Sequence, residues 1–599
     1  MVATVVKRLV SIDDLKDTAL RFPLPVACAL GAFLYAALLN YEVLDLDGKV
    51  PRAFACVSAL YLWFGIITII SESKKLSFVP VGVTAVVIAV GICILMAYSP
   101  VFWLHYYLLL PALLLGISIA PYMFGGDDWS FWQYNREVWL GAALSFLAAL
   151  LLGGGLSAAL VAIEYLFFVD VDEKLYINVW IFAGIILAPV YALSRVPKRF
   201  DFTEDECAPP PGLGFIVNWV SAPVVFVYLA ILYAYFVQII VLGNIPSGHL
   251  AYLITGFIGS GVLTYLLAWP LYARGDYASP QLRLFYKVFF PALFIPIGFH
   301  FFAIWERVSA YGITEQRYVL IISAFWFLII AMVKSLPSVP LRVIPMTLCV
   351  LFALASFGPW GAVAVSGHSQ FKRLEGLLNK YDLPGDDGHV VKLENAAEMI
   401  TLDDRIAITS VIQYLCRRKR GNMIKPWFYT EGEKFWSCLA PHLTKKIGFE
   451  PVYYRSSRRG HEERFYVYSK HQNVVDVRGY DFMVMGLYAV MYESKGYRPW
   501  EKTINFAEHN KAVMRFEGHE IRIEVDEYEP IVVDIADYMK GKTGAHLQKD
   551  DMGVAGENKD LSYWLRFNQV SGEMKEGAPF PTSVRFDLLF RVNNSSAGE

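Results

Sequence analysis

The sequence is short of charge: Asp, Glu, Lys and Arg make up 18% of its 599 residues, where ordinary soluble domains carry about 25%. With a mean hydropathy of +0.41, this excludes a wholly soluble chain. The shortage is also uneven. Up to about Ser366, long apolar runs alternate with short polar breaks. Beyond it lie 33 of the 53 Lys and Arg and eight of the eleven His, and no run is long enough to span a bilayer. A basic excess is missing too: the net charge is −2, which provides no basic face for nucleic acid. Cysteines number seven, scattered, with no C-x-x-C pair. Those in the apolar runs read as small apolar fillers. Cys416 and Cys438 are the only two in the C-terminal part, and spacing alone leaves open whether they pair. No Walker loop, G-x-S-x-G elbow or H-E-x-x-H is present, and His461-Glu462-Glu463 lacks a second histidine. His442, His461, His471, His509 and His519 have no paired ligand spacing. No metal and no cofactor is expected, no catalytic residue is assigned, and a non-enzymatic role is favoured.

What is present is a series of apolar runs of about 20 residues, the length that crosses a hydrocarbon core of about 30 Å. Candidate spans cover roughly 22–40, 53–71, 76–98, 101–122, 138–168, 176–194, 213–242, 250–272, 286–305, 318–334 and 343–365. The first is read as an uncleaved span, since no small-x-small site follows it. The fifth is long and holds Gly153-Gly154-Gly155, so one kinked helix and a re-entrant pair are both open, and the count runs from ten to twelve. Lys and Arg accumulate on the cytoplasmic side of membrane proteins. With the N-terminus inside, inner segments hold 15 of them and outer loops hold 5. An odd span count then puts the C-terminal part outside. The expected division is a cytoplasmic segment 1–21, an α-helical polytopic bundle of about eleven spans over 22–366, and an extracytoplasmic α+β domain over 367–599.

In that domain, Phe371, Leu374, Leu377 and Leu378 recur at helical spacing and predict an amphipathic helix lying along the membrane surface. Thr401 with Asp404 makes a capping-box-like start to a helix whose apolar face is Ile406, Ile408, Val411, Ile412 and Leu415. Arg417-Arg418-Lys419-Arg420-Gly421 reads as its basic C-terminus, with Gly421 as the left-handed cap. A third helix is predicted near 431–446. Period-two alternation follows in HEIRIEV, paired as a hairpin with AVMRF, and in YWLRFNQV, PIVVDI and SVRFDLLFRV. The last presents Val584, Phe586, Leu588, Phe590 and Val592 on one side, with Arg585, Asp587 and Arg591 opposite, and predicts an antiparallel sheet with one buried face.

Candidate binding residues follow from the cost of charge in a membrane. Glu306, Arg307, Tyr311, Thr314, Glu315 and Arg317 crowd the turn between the ninth and tenth spans. The two Glu and two Arg can satisfy one another, Thr314 can cap the tenth span, and Arg can grip a carboxylate or phosphate with two parallel bonds. Weaker candidates are Glu164 near the end of the fifth span, His300 inside the ninth, and Glu42, Asp45 and Asp47 in the first outer loop. That loop resembles the acidic loop of multi-span lipid-linked sugar transferases, but is too short for the helices those enzymes carry there.

The segments IWERVSAYGITEQRYVL, FGPWGAVAVSGHSQFKRLEGLL and LYAYFVQIIVLGNIPSG together resemble a family of bacterial multi-pass proteins, domain of unknown function 4153. The resemblance covers most of residues 140–380 and implies a bacterial inner-membrane location without implying an activity. Three readings stand: an envelope protein that anchors, binds a ligand or signals through an outer domain; a transporter of lipid or small solute; and a lipid-linked glycosyl or related group transferase. Expected partners are the lipid bilayer and an anionic lipid or envelope protein, with no nucleic acid.

Overall fold

The computed structural model describes residues 12–42, 50–75, 78–242, 250–275, 278–336, 339–384, 388–429, 438–452, 464–469, 477–490, 500–506, 510–517, 519–525, 528–540, 547–549, 552–575 and 578–593. The chain divides into two compact units, Met1–Tyr453 and Tyr454–Glu599.

The first unit is helical. A short helix α1 (Ile12–Arg21) leads, among the described residues, into ten helices long and apolar enough to cross a membrane: α2 (Pro23–Asn40), α3 (Val50–Lys74), α4 (Val81–Tyr98), α5 (Phe102–Tyr122), α6 (Asp128–Phe167), α7 (Glu173–Ser194), α8 (Gly212–Leu242), α9 (Leu250–Ala273), α10 (Pro280–Tyr311) and α11 (Glu315–Lys334). Large apolar side chains such as Leu151, Ile240 and Val241 stay exposed on them. In a bilayer such a surface faces lipid, while the backbone is satisfied within each helix. The chain is a multi-pass membrane protein.

The long fifth span is one continuous helix of 40 residues, about 60 Å at 1.5 Å per residue, so the re-entrant alternative falls away. The length is divided in use. Its first turns bury Phe131, Trp132 and Tyr134 against the protein, and the apolar remainder is long enough to span. The eleventh candidate is different from its sequence reading. Helix α12 (Val343–Ser356) has only 14 residues, because Phe357 is extended and Gly358 takes φ +81. Gly358-Pro359 interrupts what composition alone reads as one run, and α13 (Ala362–Asn379) starts anew.

Contacts between loops sort them onto two ends of this unit. At one end, Arg21 donates to Glu72 at 2.7 Å and to Pro197 O at 2.7 Å, and Asp128 accepts from Leu341 N at 2.9 Å. At the other, Lys174 meets Glu42 at 3.0 Å, Asn178 donates to Tyr41 at 2.9 Å, and His105 contacts the Ser356 carbonyl. Helix α12 therefore runs from the first end to the second, short as it is, and α13 emerges at the end opposite α1.

Helix α13 has the apolar face that its spacing predicts, but that face packs on protein. Leu374 and Leu378 are buried in a core with Ile408, Ile412 and Leu415 of α14 (Leu402–Arg417) and Leu443 and Ile447 of α15 (Ala440–Ile447). Thr401 caps α14 by accepting from Asp404 N, as its sequence indicates. The far end differs: Lys419, not Gly421, takes the left-handed conformation, with φ 54. Arg420 N then closes on Leu415 O at 2.8 Å. Residues 430–437, the start of the third predicted helix, lie outside the described residues. Cys416 and Cys438 form a disulfide.

The second unit holds two sheets. Strands β3 (Trp500–Phe506), β4 (Asn510–Glu517), β5 (Glu520–Val525) and β6 (Ile531–Asp534) form an antiparallel sheet in that order. The predicted hairpin is present, with Glu517 opposite Glu520. The larger sheet runs β2 (Phe482–Val490), β10 (Ala578–Val592), β9 (Leu561–Lys575), β1 (Arg464–Ser469), β7 (Leu547–Lys549), with β8 (Gly553–Glu557) on β9. It is antiparallel except where β1 meets β7. Side chains from both sheets share one core, including Phe516, Ile523, Phe567, Phe586, Leu588 and Phe590. The alternation read in β10 is kept: Val584, Phe586, Leu588 and Phe590 lie in that core with Val592 packed against it, while its pairing with β2 shifts register between Phe586 and Leu588. Asp587, expected on the open side, is buried and accepts from Gly486 N at 2.8 Å and from Asn568 at 3.1 Å.

Candidate functional site

The turn between α10 and α11 is built by a glycine and held by a neighbouring helix. Helix α10 stops at Tyr311 because Gly312 takes φ +68, a conformation that costs a residue without Cβ little. The Gly312 N–H closes on Val308 O at 2.8 Å. Three side chains of α13 then grip the turn. Ser369 Oγ accepts from Ile313 N at 2.9 Å. Gln370 Nε2 donates to Tyr311 O at 2.9 Å and to Ile313 O at 3.0 Å. Arg373 Nη1 donates to Tyr311 O at 3.1 Å. From the other side, Arg317 Nη1 donates to Gly312 O at 2.7 Å and Tyr311 O at 3.3 Å. The Arg317 and Arg373 guanidinium carbons lie 5.4 and 5.6 Å from the Tyr311 ring centroid.

The charges are therefore not paired within the turn. Among the described residues, neither Glu306 nor Glu315 forms an ion pair with Arg307 or Arg317. Glu315 is 6% exposed and meets Arg418, just past the end of α14, at 3.1 Å. The Tyr414 hydroxyl lies beside the same carboxylate: burial, then the Glu315 charge, push its ionisation up. Thr314 occupies the cap position of α11 with extended backbone, but its side chain makes no capping bond. The sequence pattern named Glu306, Arg307, Tyr311, Thr314, Glu315 and Arg317. It missed Ser369, Gln370, Arg373 and Arg418, which the fold brings to them. The signal for three of these was available, since Ser369, Gln370 and Arg373 recur at helical spacing on one face of α13.

The weaker candidates do not join this site. His300 is buried in α10, with Nε2 3.4 Å from Ser323 Oγ and its ring 5.8 Å from Phe327. Glu164 is exposed and accepts from Tyr176 at 3.0 Å. Glu42 is ion-paired with Lys174. Asp45 and Asp47 lie outside the described residues.

Two further constellations stand apart. In the second unit, His519, Glu520 and Asp534 bring ligand-type atoms within 4.8 Å of one another. They have structural employment: Asp534 caps the helix Ile535–Met539 through Asp537 N at 2.9 Å and meets His519 at 3.5 Å. In the first unit, a cavity of about 670 Å³ opens at the end that carries α1, lined by Asp128, Tyr265, Tyr286, Lys334 and Arg342. Lys334 donates to Val339 O at 2.7 Å, and Tyr272 stacks on Tyr286 at 4.0 Å.

Among curated proteins, the chain is similar to the uncharacterised protein PM1469 of Pasteurella multocida (strain Pm70). The two are 26% identical over 230 residues, 37% of this chain and 38% of that protein. The match thus spans well under half of the relative's length. No solved structure matches. The family described as Domain of unknown function (DUF4153) matches residues 21–381, which takes in the ten spans, α12 and all of α13 with the turn it grips, and the chain belongs to that family.

Proposed function

We propose that this is a bacterial inner-membrane protein of the cell envelope with α1 in the cytoplasm and everything after α12 outside it. On this reading the spans anchor an extracytoplasmic part that binds a ligand or partner, and the protein works as an anchoring, binding or signalling component, not an enzyme. The observation that carries the reading is the Cys416–Cys438 disulfide, because disulfides persist in oxidising compartments and are rare in the bacterial cytoplasm. Charge supports it independently. The α1 end holds Lys74, Lys75, Arg195, Lys198, Arg199, Arg274 and Arg342, while Arg52, Lys174, Arg307 and Arg317 lie toward the other end, the asymmetry of a cytoplasmic and an outer face.

A transporter is the second reading, and the cavity beside Lys334 favours it. That cavity sits at the ends of α6, α9 and α11, however, whereas transporters hold substrate near mid-depth. A lipid-linked transferase comes third, resting on the acidic first loop, whose Glu42 is engaged by Lys174. Alkaline phosphatase fused after Lys380 should be active, and green fluorescent protein at that site should be dark. The reverse pair of results overturns the placement.

A further inference from the structure

We propose that Arg307, Arg317 and Arg373 form a receptor for the phosphate of an anionic phospholipid, at the end of the bundle where α10 turns into α11. This names the ligand of the binding role proposed above and rests on that role.

The first argument is uncompensated charge. Arg317 stands within electrostatic reach of Arg307, and Arg373 within reach of Arg317. Among the described residues none of the three has an ion-pair partner. Three nearby acids are engaged elsewhere, Glu315 by Arg418 at 3.1 Å, Asp404 by Lys380 at 2.6 Å and Glu375 by Lys372 at 2.8 Å, and Glu306, beside Arg307 in sequence, is exposed and forms no ion pair with it among the described residues. Arg317 and Arg373 share the Tyr311 ring, at 5.4 and 5.6 Å from its centroid, and Arg317 is repelled by Arg307 as well; an anion beside Arg317 offsets that repulsion.

The second argument is unused donors. A guanidinium has five N–H groups in a rigid fork. Arg317 and Arg373 each spend only Nη1, on the carbonyls of Tyr311 and Gly312. Their Nε and Nη2 groups have no partner among the described residues, and Arg307 makes no hydrogen bond there at all. Paired N–H donors of this kind match phosphate oxygens two at a time.

The third argument concerns the source of the phosphate. Trp305 is 72% exposed, Tyr311 54% and Trp360 52%, and all three sit around the end of α10 and α11. Tyr318 ties Trp360 to α11 through its carbonyl at 2.7 Å. Tyr and Trp collect at the level of lipid headgroups, and exposed Phe302 and Phe325 continue the apolar surface beside them. A phosphate held at this level is the phosphate of a lipid whose chains lie along α10 and α11.

The full chain in nanodiscs of phosphatidylcholine, titrated with phosphatidylglycerol and read by the lipid retained on purification, tests the assignment. Arg307→Gln is the cleanest variant, since Arg307 makes no hydrogen bond or ion pair among the described residues. It should lower phosphatidylglycerol retention about tenfold, the worth of one charge-assisted contact, at an unchanged melting temperature. Arg307→Lys should recover part of the loss, and inorganic phosphate should not displace the lipid. Equal retention by Arg307→Gln and the parent overturns the receptor. Displacement by inorganic phosphate overturns the lipid source and makes the ligand a soluble anion. The fusions after Lys380 report the compartment separately, so a wrong orientation and a wrong ligand give different failures.

Discussion

The Glu315–Arg418 contact should behave as a coupled, partly buried ion pair, so that losing both partners costs less than the sum of losing each. Glu315 opens α11 with a side chain 7% exposed, while Arg418 is 43% exposed. Removing the cation strands a carboxylate that water cannot reach. Breaking a fully buried pair this way costs about 3–5 kcal/mol, and a charge-assisted hydrogen bond is worth about 1.5–3 kcal/mol. Water around Arg418 screens part of the interaction, so Arg418→Met should cost about 2 kcal/mol, at the lower end of these ranges. Glu315→Gln leaves a guanidinium that water can solvate, and should cost about 1 kcal/mol. In the double variant no charge is stranded, so its cost should fall below the sum by about 1 kcal/mol or more. The assay is thermal unfolding of the full chain in one detergent, read as the order of melting temperatures because a protein of two units need not unfold in one step. An Arg418→Met melting curve that matches the parent, or strictly additive shifts, would refute the reasoning.

Three other outcomes are expected. Gly312→Ala places a Cβ 2.8 Å from Gln370 Nε2 at φ +68; it should cost about 1–2 kcal/mol, seen as a lower melting temperature, and an unchanged curve would mean that the turn relaxes freely. Phe586→Ala empties a fully buried position between the sheets and should cost about 3–5 kcal/mol, read as faster proteolysis within residues 454–599. Burial pushes the Asp404 carboxyl up, but hydrogen bonds from Lys380, Tyr381 and Thr401 outweigh it and hold the group below its usual value. Its stabilisation is therefore present above a pH of about 4 and lost as pH falls through the lowered value, so Asp404→Asn should flatten the acid decline of the melting temperature.

What was legible in the sequence follows the range of the physics. Hydropathy is a local property, and ten spans were visible as runs before any fold was known. The end of the eleventh was not, because Gly358-Pro359 lies within residues apolar enough to hide a break. In the C-terminal strands the period of two was readable, yet Asp587 was assigned to the open side. A register shift against β2 at Phe586–Leu588 brings Gly486 N onto the Asp587 carboxylate, a partner that the pattern does not reveal. At the turn, every named charge was real, but their partners were not the neighbours in sequence. Glu315 pairs with Arg418 and Tyr311 O with Arg373, contacts that depend on how α13 and α14 fold back over the turn. Helical spacing marks Ser369, Gln370 and Arg373 as one polar face of α13, but it does not say which turn that face meets.

The structural and ligand-binding accounts of this turn are not rivals for the same atoms. A helix ends with carbonyls that have no partner in their own helix and carry its partial negative charge. At the end of α10 a cation against those carbonyls is therefore expected on structural grounds alone. Arg317 and Arg373 supply it, each through one nitrogen. A lysine could do the same. What a lysine cannot do is hold a carbonyl with one arm and present two further donors in a fixed plane. The choice of arginine at both positions, with a third arginine beside them that bonds to no described residue, exceeds what closing the turn demands. That excess points outward, to a ligand with oxygens enough to use it.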